Sequence, residues 1–160
     1  MEKINVKHIF YEASDCDDQG DYERAFELFM KGASLNDNSC MTNIGYYYDI
    51  GRYVRKDKNK ALCWYKHAYK QNEICSPLNI GIIYQEKKQW KRALWWFHKA
   101  VAMGNIDGNY HIAMYYHKGR GVKKNIKKAI KYYTKVYYSG ETSEYVEEEI
   151  EAILKKLKVF

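Results

Sequence analysis

The sequence predicts an all-α protein: a right-handed α-solenoid of four helix–turn–helix repeats, closed by a C-terminal capping helix. Three observations carry that expectation. An alanine recurs as Ala25, Ala61, Ala93 and Ala129, spaced 36, 32 and 36 residues apart. Bulky residues follow it at three and four positions, as Leu28-Phe29, Trp64-Tyr65, Trp96-Phe97 and Tyr132-Tyr133. Proline occurs once in 160 residues, which suits long helices because proline removes a donor and clashes inside them.

Each column of the repeat has a physical meaning. Offsets 0, 3, 4 and 7 from the alanine define one helical face, and offset 7 holds Gly32, Ala68, Ala100 and Val136. Offset 11 holds Asn36, Asn72, Gly104 and Gly140, residue types that tolerate the left-handed conformation ending a helix. Four positions before the alanine stand Asp21, Asp57, Gln89 and Asn125, three of them good N-caps. Second helices are therefore expected over 22–34, 58–71, 90–103 and 126–139.

An earlier helix precedes each of these. Ile44-Gly45, Ile80-Gly81 and Ile112-Ala113 align, and Tyr48, Tyr84 and Tyr116 follow at a fixed distance; Glu12-Ala13 and Cys16 take the same slots in the first unit. First helices are expected over 3–17, 38–50, 76–87 and 107–118, with Pro77 tolerated in a first turn. Tyr48, Tyr84 and Tyr116 are assigned to the core. The tail breaks the repeat: Val146, Ile150, Ile153, Leu154 and Leu157 form an apolar stripe, with glutamates early and lysines late, as the helix dipole prefers. It reads as a cap, since a terminal unit needs a polar outer face. The whole chain is expected to be one domain, with repeats at about 3–36, 37–72, 73–104 and 105–140 and the cap at 141–158.

These columns resemble the tetratricopeptide repeat and its Sel1-like variant. Units two and four carry four extra residues between helices. Gly119-Arg120-Gly121-Val122-Lys123-Lys124-Asn125 looks very like the Sel1-like loop signature, while Tyr53 replaces the second glycine in Gly51–Asp57, so that loop is expected to be less regular. The resemblance implies a concave groove lined by first helices. Carried over position by position, its partner-binding residues are Phe10, Ser14 and Asp17; Thr42, Tyr46 and Asp49; Leu78, Ile82 and Gln85; Tyr110, Met114 and His117. That lining is apolar and aromatic with carboxylates at Asp17 and Asp49, and suits an amphipathic helix or extended peptide. Phe10 and Ser14 stand where a carboxylate clamp for chaperone tails would need lysine and asparagine.

Catalytic and metal chemistry lack their usual patterns. No G-x-S-x-G, glycine-rich phosphate loop, HExxH or CxxC occurs. Cys63 and His67 are four apart on a helix, but nothing nearby completes a ligand set. No catalytic residue, metal or cofactor is expected. Cys16, Cys40, Cys63 and Cys75 do not recur in register, so buried reduced thiols are expected rather than disulfides. The N-terminus interleaves charge with apolar residues, and no run approaches a membrane span; a cytoplasmic monomer is the expectation. The net charge of +7 and 17 tyrosines raise nucleic acid as a partner, but lysines and aromatics fall in different columns and are expected on separate surfaces, which disfavours stacking. Three readings follow: an adaptor binding a peptide or partner domain in its groove, a dedicated inhibitor such as a bacterial immunity protein, and a nucleic-acid-binding protein.

Overall fold

Three of the four second helices begin at a side-chain cap. Asp21 accepts a hydrogen bond from the Arg24 backbone N–H, Asp57 from those of Asn59 and Lys60, and Asn125 from that of Lys128. Gln89 makes no such bond. At the other end, Asn36, Asn72, Gly104 and Gly140 all adopt positive φ, between 63° and 91°. These local signals set the boundaries in a computed structural model that describes residues 6–159. Among the described residues it contains α1 Val6–Asp18, α2 Tyr22–Ser34, α3 Asn38–Ile50, α4 Lys58–Lys70, α5 Ser76–Glu86, α6 Trp90–Ala102, α7 Asp107–Lys118, α8 Ile126–Tyr137 and α9 Glu144–Lys156, with no strand. The expected start of the first helix at residue 3 lies outside the described residues.

The chain divides into two compact units, one up to Ser76 and one from Pro77 onward. In the first, α1 packs on α2, α2 on α3, and α3 on α4. Its core gathers Ala13, Ala25, Phe29, Met41, Ile44 and Tyr47. In the second, Leu78 and Ile82 of α5 pack against the core of α6 and α7, around Phe97, Ile112 and Tyr115, while Tyr133, Val136, Ile150 and Leu154 join α8 to α9. The columns at offsets 0 and 4 are buried in every repeat, because those positions face the partner helix in each pair. Offset 3 (Leu28, Trp64, Trp96, Tyr132) is only half-buried.

Three expectations are corrected here. Tyr48, Tyr84 and Tyr116 are half-buried at the core margin; the fully buried side chains lie one residue earlier, at Tyr47, Ile83 and Tyr115, since the helix turns about 100° per residue. The second-unit loop is regular. Tyr53 takes φ 59° where Gly121 takes 68°, and Asp57 N–H bonds Tyr48 O at 2.8 Å as Asn125 N–H bonds Tyr116 O at 2.8 Å. A side chain fits at Tyr53 because its ring packs 5.8 Å from Phe26 and its hydroxyl donates to Glu23. At Gly121 a Cβ would meet Trp90 Cβ at 2.8 Å. The four cysteines are free, but only Cys40 is buried; Cys16 is half-buried, and Cys63 and Cys75 are exposed.

Candidate interaction surfaces

In the first unit, the groove-predicted side chains are largely engaged by their own chain. The Asp17 carboxylate accepts from the Tyr47 hydroxyl and from Arg52 Nη1 at 2.6 and 2.8 Å. Arg52 in turn lies over three rings, those of Tyr22, Tyr46 and Tyr47, at 4.8, 5.4 and 5.8 Å. The hydrogen bond to Asp17 raises the guanidinium pKa above its usual value. Burial, and then Asp17, push the Tyr47 phenol up as well. This cluster is a carboxylate and a tyrosine cage filled by an internal cation. Asp49 is ion-paired with Lys58. Ser14 donates to its own Phe10 carbonyl, and Thr42 to that of Asn38, with Glu73 and Ser76 also in reach. Phe10 is half-buried against Phe29. Tyr46, 40% exposed, is the most open of the six.

In the second unit, Leu78 and Ile82 are half-buried against the core. Tyr110 donates to Glu149 of α9 at 2.7 Å, and burial raises its pKa. Met114 packs against the cluster that includes Ile150 and Leu154, so α9 covers part of this first-helix face. His117 Nδ1 lies 3.3 Å from the Tyr133 hydroxyl; burial, then Lys124, Lys118 and Lys156, lower its pKa. The Gln85 Oε1 atom is buried without a partner. Leu78, Tyr110 and His111 meet Val146 and the segment before α9 around a cleft of about 360 Å³.

Sequence reasoning missed how the basic residues are used. They are not segregated from the aromatics. Lys60 sits over Tyr48 at 5.1 Å, Arg92 over Tyr84 at 5.9 Å and Lys128 over Tyr116 at 5.1 Å. The same column, one residue before the repeating alanine, thus places a cation on the same tyrosine column in three repeats. Lys99 covers Trp95, Lys135 covers Tyr132 and Arg120 covers Trp90. The signal was present as a basic residue recurring at offset −1, but only side-chain direction shows which ring it reaches. Among the described residues, no three His, Cys, Asp or Glu side chains are gathered for a metal ion, and no helix is long and apolar enough to cross a membrane.

A four-fold helix pair with left-handed caps and glycine-bearing loops is a family architecture, and the Sel1 repeat model matches residues 10–37, 38–73, 88–105 and 106–140. The chain belongs to the Sel1 repeat family. Sel1 repeat proteins are generally protein–protein interaction modules, and the fold is typically a non-enzymatic binding scaffold. The ERAD-associated E3 ubiquitin-protein ligase component HRD3B of Arabidopsis thaliana is 27% identical over 117 residues, 69% of this chain and 18% of that protein. An F-box protein of the same plant is 27% identical over 103 residues, 63% of this chain and 28% of its own length. This Sel1 repeat chain therefore spans under a third of either relative. Among solved structures, a Sel1 repeat protein from Oxalobacter formigenes superposes with TM-score 0.76 at 24% identity, covering 86% of this chain and 59% of that one. The c5321 protective antigen of uropathogenic Escherichia coli gives 0.73 at 26% identity, covering 85% and 31%.

Proposed function

We propose that this Sel1 repeat chain is a cytoplasmic adaptor that takes a peptide or partner domain on the face of its first helices. Phe10, Ser14, Asp17, Thr42, Tyr46 and Asp49 form the binding side chains in the first unit. Leu78, Ile82, Gln85, Tyr110, Met114 and His117 form those in the second. The observation that carries the reading is Tyr46: a large aromatic in the first-helix column, 40% exposed, in a repeat whose neighbouring tyrosine is fully buried. An exposed aromatic backed by a rigid ion-paired cluster loses little entropy on binding, which is the character of an interface hot spot.

The test is a photo-crosslinking residue placed at position 46 of the full chain in its source cell, with position 31 on the outer side of α2 as control. A discrete partner crosslinked from 46 and not from 31 supports the first-helix face. Equal yields from both positions, or none from 46, overturn it.

A further inference from the structure

Residues 87–138 carry thirteen lysines and arginines against one acid, Asp107. On α6, Lys91, Trp95 and Lys99 follow one another at four-residue intervals and so share one helix face. Trp95 is 52% exposed. It meets Trp96 edge-on, with ring centroids 4.9 Å apart and planes at 90°, and Lys99 lies over it at 5.0 Å. Tyr84, Lys91, Arg92, Trp95 and Trp96 line a cleft of about 400 Å³. A second cleft of about 540 Å³ adjoins it, shares Lys91 and Arg92, and runs to Gly121. Both have the size of a site for a large side chain or small ligand, which spans ~300–1,000 Å³.

We propose that this α6 surface is a docking site for an acidic protein segment carrying large apolar side chains, with carboxylates on Lys88, Lys91 and Arg92 and an aromatic or branched side chain between Tyr84 and the two indoles. Charge complementarity selects the sign of the partner: a 52-residue stretch with one carboxylate attracts anions and repels cations. Ring occupancy selects a peptide over a nucleic acid. One face of each ring already carries a cation, Lys99 over Trp95 and Arg92 over Tyr84, so a base stacking on that face must displace it. A carboxylate reaches the same cations from solvent without disturbing the rings, and an apolar side chain fills the cleft between them. The proposal stands apart from the first-helix face and does not depend on it.

The probes are a short glutamate- and aspartate-rich peptide carrying two phenylalanines, the same peptide with serine for phenylalanine, and single-stranded oligouridylate. Each is titrated into the full chain and into Trp95→Ala, Lys91→Glu and Tyr46→Ala, with circular dichroism confirming that each variant folds. The phenylalanine peptide is expected to bind, to weaken about tenfold in Lys91→Glu and Trp95→Ala, and to weaken further with added salt as exposed charges are screened. Tyr46→Ala is expected to bind it as the parent chain does. The proposal is overturned by oligouridylate binding more tightly than the peptide, by serine and phenylalanine peptides binding alike, or by no peptide binding at all. A loss seen in Tyr46→Ala and not in Trp95→Ala also overturns it, and would point instead to the first-helix face.

Discussion

Tyr115 brings a hydroxyl into the core of the second unit, where it is fully buried and has no protein partner. Burial pushes its pKa up to about 12. A buried hydroxyl without a hydrogen bond pays its desolvation uncompensated, so Tyr115→Phe is expected to be neutral or to stabilise by about 1 kcal/mol. Tyr47 is the counterpart in the first unit, but it donates to Asp17, and Tyr47→Phe should cost about 1–2 kcal/mol by leaving that carboxylate short of a donor. Guanidinium unfolding of both variants checks the contrast; equal responses would contradict it. His111 makes a second prediction at this scale. It stacks on Phe97 at 4.4 Å, and burial lowers its pKa from 6.5 to about 4. Between those values the unfolded chain binds the proton and the folded chain does not. Stability is therefore full above pH 6.5 and falls as pH drops through the window, by about 3 kcal/mol in all. His111→Phe should flatten the acid limb of a stability-versus-pH curve; an unchanged slope would show that the ring is hydrated in the fold.

At the scale of the element, helix pairs are set by a small residue opposite a large ring. A Cβ on Gly45 would approach the Tyr65 ring within 2.6 Å, and one on Gly81 the Phe97 ring within 2.5 Å. The equivalent residue in the last repeat is Ala113, so the α7–α8 pair already accommodates one methyl. Gly81→Ala should thus be destabilising despite its better helix propensity, because overpacking against a buried ring costs about 1–3 kcal/mol and the propensity gain is under about 1 kcal/mol. Thermal unfolding decides the sign: a raised melting temperature would mean that α5 and α6 separate freely. The cation over each tyrosine belongs to this scale too. Arg92→Ala removes the cover of a half-buried ring and should cost no more than about 1 kcal/mol.

At the scale of the molecule, α9 completes the second unit. Ile150 and Leu154 are fully exposed to no solvent, lying against Tyr133, Val136 and Ala129, and Glu149 receives the Tyr110 hydroxyl. Removing residues 142–160 uncovers that cluster. Terminal repeats of a solenoid need a polar outer surface, so the truncated chain should lose solubility, and the amides of α7 and α8 should lose hydrogen-exchange protection first. A truncated chain that stays monomeric and equally protected there would mean that α9 is an appendage, not a cap.

Periodicity and capping are local properties, and the sequence by itself determined what depends on them. The alanine columns, the caps at Asp21, Asp57 and Asn125, and the left-handed ends at Asn36, Asn72, Gly104 and Gly140 set the four second helices to within two residues, because backbone hydrogen bonds and φ preferences act over one turn. Which tyrosine of an adjacent pair is buried was decided by packing. Tyr47 and Tyr48, or Tyr115 and Tyr116, differ by one residue of rotation, and only a neighbouring helix distinguishes them. The same holds for the charges. Arg52 and Asp17 are far apart in sequence, and nothing local says that the guanidinium closes a tyrosine cage, nor that Tyr84 of α5 meets Lys91, Arg92 and Trp95 of α6 around one cleft. Side-chain direction across helices is a tertiary quantity, and the candidate surfaces are made of it.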